Sequence, residues 1–184
     1  MKSEPAELVN SANEQTSLRI AALWAADCAE KSLPIFEKNH PGITLPFEAI
    51  NAAREYGNGK RRDNQLRTVA MAAFKLGKDL DLASKYVTKA AQLTAAIAYT
   101  HTDLNEGIQG IRQARHVLGP AVYAAMALEI ANNVDDSASE AIIQFAIDTA
   151  PQEVRRIISG MPNQEVKSNR VDELFYKLDL ALRR

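Results

Sequence analysis

Apolar residues recur at steps of three and four along nearly the whole chain, which is the spacing of helices that bury one face. The stripe formed by Leu82, Tyr86, Ala90, Leu93 and Ile97 is one example. No alternating run of β-branched residues reaches the length of a strand. The sequence therefore predicts an all-α fold.

Alanine is unusually frequent, at 30 of 184 residues. Alanine has the highest intrinsic helix propensity, and its small side chain lets neighbouring helices approach closely. The 8 glycines and 7 prolines fall mostly between the periodic segments. We expect about eight or nine helices, joined by short connections into antiparallel hairpins. Both a layered stack similar to an α-α superhelix and a plain bundle satisfy this pattern.

Helix ends are predicted from capping residues and helix breakers. Thr16 or Ser17 is the expected N-cap of the first long helix, and Asp63 is expected to cap a later one. Gly119 and Pro120 are expected to separate two helices, because proline inside a helix removes a backbone hydrogen bond.

The length of the chain suits one domain with a sizeable core. We predict a polar segment or short helix at residues 1–15 and a single helical domain at 16–162. Residues 163–184 are predicted to form a linker and a C-terminal helix that packs on the domain.

The charges nearly cancel, with 22 Lys and Arg against 23 Asp and Glu. This balance argues against nucleic acid as a partner, because contacts to phosphate dominate that affinity. The run at 60–62, Lys-Arg-Arg, is the centre of the one basic cluster and is expected to be solvated. No segment has the length and apolarity of a membrane span or signal peptide, so we expect a cytoplasmic protein with no membrane partner.

Sequence motifs for common catalytic and cofactor sites are missing. There is no Gly-rich phosphate loop, HExxH, CxxC or GxSxG motif, so we expect neither a metal site nor a cofactor. Cys28 lies on the apolar side of a helix and is interpreted as a small buried hydrophobe.

Two histidines are candidates for a site. His101 continues the apolar stripe by one step of four, so it is either a hydrogen-bonded residue at the edge of the core or a functional one. His116 shares a polar helical face with Gln109, Arg112 and Gln113. That face is either solvated or a recognition surface.

Three further side chains have both a structural and a functional interpretation. Arg115 faces a more apolar side, where its stem can pack and its guanidinium can pair with an acid. Trp24, the sole tryptophan, is interpreted as a residue that anchors the core. The alternative is a flat surface on which a ligand stacks. Asp27 is expected to pair with Lys31, four residues further along the helix.

Two stretches, at residues 18–37 and 113–129, resemble a family of bacterial immunity proteins. The second contains Gln-Ala-Arg-His-Val-Leu-Gly, and the segment at 95–101 ends in Ala-Tyr-Thr-His, similar to an alanine-rich helix of that family. The resemblance covers about residues 18–162 and implies an all-helical domain that protects a bacterium from a polymorphic toxin. It supplies no catalytic residues. At 42–47 the chain reads GITLPF, where relatives tend to have an acidic and arginine-rich stretch.

The leading hypothesis is therefore a non-enzymatic protein that neutralises a toxin by stoichiometric protein–protein binding. The residues proposed for its surface are His101, Gln113, Arg115 and His116, with Trp24 and Asp27 as further candidates. A homo-oligomer is compatible with this hypothesis.

Two alternatives stay open. One is a small enzyme that uses His101 or His116 with an acid such as Asp27 or Glu37 for proton transfer. The other is a helical module for a small molecule or nucleic acid, centred on residues 60–62.

Overall fold

The computed structural model describes residues 4–166 and 168–184, with side chains described from residue 13 onward. This part of the chain contains nine α-helices and no strand, which confirms the all-α fold. The helices are α1 (Glu4–Glu30), α2 (Leu33–Asn39), α3 (Leu45–Gly57), α4 (Asn64–Leu76), α5 (Leu82–Ala96), α6 (Gly107–Ala131), α7 (Asp136–Thr149), α8 (Gln152–Ser159) and α9 (Arg170–Leu182). Short 3-10 helices follow α4 at Gly77–Asp79 and α5 at Ile97–Tyr99.

The first helix begins earlier than the capping residues indicate. α1 starts at Glu4, so the expected N-cap at Thr16 or Ser17 is wrong. The Ser17 hydroxyl donates to the Asn13 carbonyl at 3.0 Å, the bond to the preceding turn that serine can make inside a helix. Of the predicted segment 1–15, residues 1–3 lie outside the described residues and the rest belongs to α1.

Aspartate and asparagine side chains cap four of the later helices. The Asp63 carboxylate accepts a hydrogen bond from the Leu66 backbone N–H at 3.1 Å, which confirms the expected cap of α4. The side chains of Asp81, Asp135 and Asn169 likewise accept a hydrogen bond from a backbone N–H at the starts of α5, α7 and α9. Each cap satisfies a backbone donor that has no partner within the helix.

α6 is continuous through Gly119 and Pro120, so the predicted break between two helices is wrong. Every residue from 117 to 127 is buried, as expected of a helix enclosed on all sides by other helices. Leu93 of α5 packs so closely on Gly119 that an added Cβ would lie 2.3 Å from its Cδ1. Burial of residues 117–127 compensates for the hydrogen bond that proline removes.

The short connections place consecutive helices in contact. α5 packs on α4 and α6, and α6 packs in turn on α7. α1 lies against α3, α5, α6, α7 and α8 and so joins the early and late parts of the chain. Fully buried alanines occupy many of these contacts, including Ala25, Ala90, Ala121 and Ala124. Among the described helices, none combines the length and apolarity needed to cross a membrane.

α9 closes the fold against α6, α7 and α8. Its apolar side chains Leu174, Phe175 and Leu178 are completely buried. At its first residue, the Arg170 guanidinium pairs with the buried Glu129 carboxylate of α6 at 3.0 Å. The same guanidinium donates to the Ser139 hydroxyl of α7 at 3.0 Å. This arginine therefore ties the start of α9 to two neighbouring helices.

Candidate functional site

His101 is exposed, so its predicted place at the edge of the apolar face is wrong. α5 ends at Ala96 and the chain passes through a 3-10 turn, which interrupts the step of four. The His101 side chain is 70% exposed, and its Nδ1 lies 4.0 Å from an Asp103 carboxylate oxygen. Gln113 of α6 accepts a hydrogen bond from the His101 backbone N–H at 3.0 Å. Gln113 therefore helps to position the backbone at His101.

Arg115 lies where its stem packs and its head pairs with an acid, as predicted. Its guanidinium donates to the Asp172 carboxylate at 2.5 Å and to the Gln164 side chain at 2.8 Å. It also lies 4.5 Å from the centre of the Phe175 ring. These contacts hold the linker and α9 on α6.

His116 is half-buried at the inner end of the polar face that it shares with the exposed Gln109 and Arg112. Its Nδ1 is buried and has no hydrogen-bond partner among the described residues. Burial lowers the pKa of the His116 imidazole, because the charged form loses its hydration. The ring is therefore neutral at neutral pH.

Trp24 and Cys28 belong to the core, as predicted. Trp24 is 3% exposed, and its indole N–H donates to the Ala146 carbonyl of α7 at 3.1 Å. Cys28 is completely buried, and burial raises the pKa of its thiol. The thiol is therefore protonated and inert at neutral pH.

Asp27 pairs across helices, which contradicts the expected pair with Lys31. The Arg54 guanidinium of α3 lies 2.9 Å from the Asp27 carboxylate and 2.7 Å from that of Glu30. The Lys31 ammonium instead lies 4.5 Å from the centre of the Phe145 ring. The spacing of four residues permits an ion pair between Asp27 and Lys31, but Asp27 pairs with Arg54 of α3 instead.

The enzyme hypothesis names acids and histidines whose contacts the described residues show. No hydrogen bond or ion pair in this part of the chain joins Asp27 or Glu37 to His101 or His116. No group of three His, Cys, Asp or Glu side chains in the described part could hold a metal ion.

A cleft of about 840 Å³ opens between α1, the loop before α4, α4 and the turn after α5. We call it the arginine cleft. Its lining combines basic, aromatic, hydroxyl and apolar side chains with the acid Glu14. They include Arg61, Arg62, Arg67, Tyr56, Tyr99, Thr100 and His101.

Three contacts hold the basic loop against the turn after α5. The Arg62 guanidinium donates to the Ala98 carbonyl at 3.1 Å and lies 5.2 Å from the centre of the Tyr99 ring. The Tyr99 hydroxyl donates to the Asp63 carbonyl at 2.7 Å. The two sides of the cleft are thus fixed relative to each other.

Arg19 of α1 holds the other end of the same loop. Its guanidinium donates to the carbonyls of Tyr56 and, at 2.9 Å, Lys60. The guanidinium also lies 4.6 Å from the centre of the Tyr56 ring. Burial raises the pKa of the Tyr56 phenol, so the phenol is neutral at neutral pH.

The lining carries positive charge that the nearby acids do not neutralise. Arg61 and Arg67 are exposed and form no ion pair within the described part of the chain. Lys60 pairs with Glu55 at 2.9 Å, and the Glu14 carboxylate accepts a hydrogen bond from the Thr102 hydroxyl. An anionic group is therefore the ligand that this lining favours.

Of the six predicted site residues, His101 lines the arginine cleft and Gln113 bonds to the backbone of His101. The other four lie outside the lining: Arg115, Trp24 and Asp27 make contacts between helices, and His116 is half-buried with an unpartnered Nδ1 among the described residues. Sequence reasoning missed Tyr56, Tyr99 and Thr100 as lining residues. The Ala-Tyr-Thr-His string contains Tyr99, Thr100 and His101, and is the signal that points to this wall of the cleft.

Comparison with known proteins gives one finding. A family model described as Imm-5 like putative immunity protein matches residues 11–153. Searches of curated proteins and of solved structures found no significant match. The matched range contains all the residues that line the arginine cleft and ends before α9.

Proposed function

Because the chain belongs to the Imm-5 like immunity protein family, we propose that it neutralises a bacterial toxin by binding it in a stoichiometric complex. The family match over residues 11–153 is the observation that carries this proposal. In this proposal the protein acts without catalysis, in the cytoplasm of the cell that it protects.

The arginine cleft supports a role in protein binding. Arginine, tyrosine and methionine are enriched at the centres of protein interfaces, and residues of all three types line this cleft.

Co-expression with the toxin encoded beside its gene tests the proposal. We expect growth to be restored relative to an empty vector, and the two purified chains to co-elute as one complex. Absence of both rescue and complex would contradict the proposal.

Titration of the purified toxin separates binding from catalysis. For a stoichiometric inhibitor, residual toxin activity falls linearly with added protein and reaches its minimum near one equivalent. The enzyme alternative predicts inactivation of a large excess of toxin by a small amount of protein. The stoichiometry of inhibition therefore decides between these two functions.

The positive lining of the arginine cleft favours a second candidate, a module that binds a small anion or nucleic acid. In that case a labelled single-stranded oligonucleotide should bind, and its affinity should fall steeply with salt concentration. No binding at low salt would contradict this candidate.

A further inference from the structure

We infer that the arginine cleft and the adjoining exposed face of α4 form a docking surface for an acidic segment of a partner protein. The inference rests on the proposed function, since the partner would be the toxin. Three separate observations carry it: uncommitted arginines, exposed apolar side chains beside them, and a buried hydroxyl without a partner.

The arginines are free to bind carboxylates. Arg61 and Arg67 are exposed and make no ion pair among the described residues. Arg62 is held in place by its bond to the Ala98 carbonyl and by the Tyr99 ring. A guanidinium that is already positioned loses less entropy when it forms a two-pronged pair with a carboxylate.

The apolar part of the surface continues from the cleft along α4. Met71 lines the cleft and is 49% exposed, and Phe74, one turn further, is 47% exposed. Arg67, Met71 and Phe74 follow one another at steps of four and three, so they form one stripe on α4. The Lys78 ammonium, in the 3-10 helix that follows, lies 5.6 Å from the centre of the Phe74 ring. Exposed methionine and phenylalanine beside arginine are the composition of a protein-binding surface.

Thr100 provides the independent sign of a missing ligand. The residue is 5% exposed and its hydroxyl oxygen is buried. Among the described residues, this hydroxyl has no hydrogen-bond partner. A buried hydroxyl without a partner is costly and rare in folded proteins. Since Thr100 lines the cleft, a carboxylate that enters it can accept a hydrogen bond from this hydroxyl.

A protein segment fits these observations better than a nucleic acid. The whole chain has a net charge of −1, so the basic residues form a local patch without a basic excess around it. A ligand that covers the exposed Met71 and Phe74 of α4 also needs apolar side chains next to its acidic ones. The expected ligand is therefore a segment in which Glu or Asp alternates with large apolar residues.

Charge reversal tests the docking surface. The variant Arg61→Glu with Arg67→Glu should keep its fold, because both side chains are exposed and unpaired in the described structure. The matched control is Lys38→Glu with Lys85→Glu, which changes the net charge equally at exposed sites outside the cleft lining. Calorimetric titration with the purified toxin should show that the cleft variant binds at least about tenfold more weakly than the wild type, because it loses two arginine anchors. The control variant should bind about as tightly as the wild type.

The outcomes separate the two proposals. If wild-type protein does not bind the toxin, the proposed function fails. If the wild type and both variants bind the toxin equally, the docking surface is wrong while the proposed function stands. Equal weakening by both variants would mean that only overall charge matters, and this also overturns the docking surface.

A defined probe tests the surface without the toxin. A fluorescein-labelled peptide of repeated Glu-Glu-Leu units should bind the wild type, weaken with added salt, and bind the cleft variant at least about tenfold less tightly. Its Lys-Lys-Leu counterpart should not bind. Failure of the acidic peptide to bind, or preferential binding of a single-stranded oligonucleotide, overturns the inference.

Discussion

At the residue scale, the turn between α6 and α7 contains an unusual backbone conformation. Asn133 and Val134 have φ angles of 60° and 64°, in the left-handed region. Asparagine tolerates this region, whereas a β-branched residue there is a genuine outlier. The Val134 N–H donates to the Glu129 carbonyl at 2.8 Å, and this bond holds the strained turn at the end of α6.

Replacement of Val134 with asparagine should therefore stabilise the protein. The side chain is 69% exposed, so little burial is lost, while relief of strain is worth about 1 kcal/mol. We expect the melting temperature to rise by about 2–4 °C. Val166→Asn is the control, because Val166 is 62% exposed and has no positive φ. A lower melting temperature for Val134→Asn than for this control would refute the strain argument.

His116 should make stability depend on pH. Burial lowers the pKa of this imidazole in the folded protein, whereas an unfolded chain has a histidine pKa of about 6.5. As the pH falls through that value, the unfolded state gains the proton first, so the free energy of unfolding decreases. We expect a steeper loss between about pH 7 and about pH 5 for the wild type than for His116→Gln. Equal slopes for the wild type and His116→Gln would contradict the prediction.

At the scale of elements, the contact between α6 and the chain around it depends on a glycine. A Cβ on Gly110 would lie 2.4 Å from the Leu104 carbonyl oxygen and 2.8 Å from Pro162 Cδ. Both neighbours are part of the loops that lead into α6 and out of α8. The first turn of α6 therefore packs directly on backbone, which cannot move aside as a flexible side chain can.

Gly110→Ala should destabilise the protein by about 1–3 kcal/mol, because overpacking outweighs the higher helix propensity of alanine. Gly160→Ala is the matched control. There the nearest atoms to a new Cβ are carbonyl oxygens at 3.6 Å, and φ is −82°, so we expect no loss or a small gain in stability. Denaturant unfolding of both variants measures the difference. Equal stability of Gly110→Ala and the wild type would show that the loop relaxes.

At the scale of the whole molecule, α9 lies outside the matched family range but completes the core. Leu174, Phe175, Leu178 and Leu182 are buried to 1% exposure or less. Burial of each such side chain is worth about 1.5–3 kcal/mol, and a whole domain is stable by only about 5–15 kcal/mol. The fold should therefore depend on its C-terminal helix.

Removal of residues 163–184 tests this dependence. The shortened chain loses the apolar face of α9 and leaves the buried Glu129 carboxylate without the Arg170 guanidinium. We expect it to lack a cooperative thermal transition by circular dichroism. Removal of the exposed Arg184 alone should leave the transition unchanged. A cooperative transition near the wild-type temperature in the shorter chain would show that residues 1–162 fold independently.

The fold was largely predictable because helix formation is local. The periodic stripes predict most helices, and Asp63 marks a helix start by a bond to a residue three positions away. The errors lie where packing overrides local preference. Pro120 stays within α6 because the helix is enclosed by its neighbours, and Asp27 binds Arg54 because α3 lies beside α1.

The sequence by itself determined that this chain is all-helical, which residues form much of its core, and which family it resembles. Only the tertiary structure decided that Tyr56, Arg61, Arg67 and Thr100 meet in one cleft. Helix periodicity depends on residues a few positions apart in the chain, so it can be read from the sequence alone. A cleft instead joins residues from helices far apart in the chain, and their meeting depends on how each helix packs on the others.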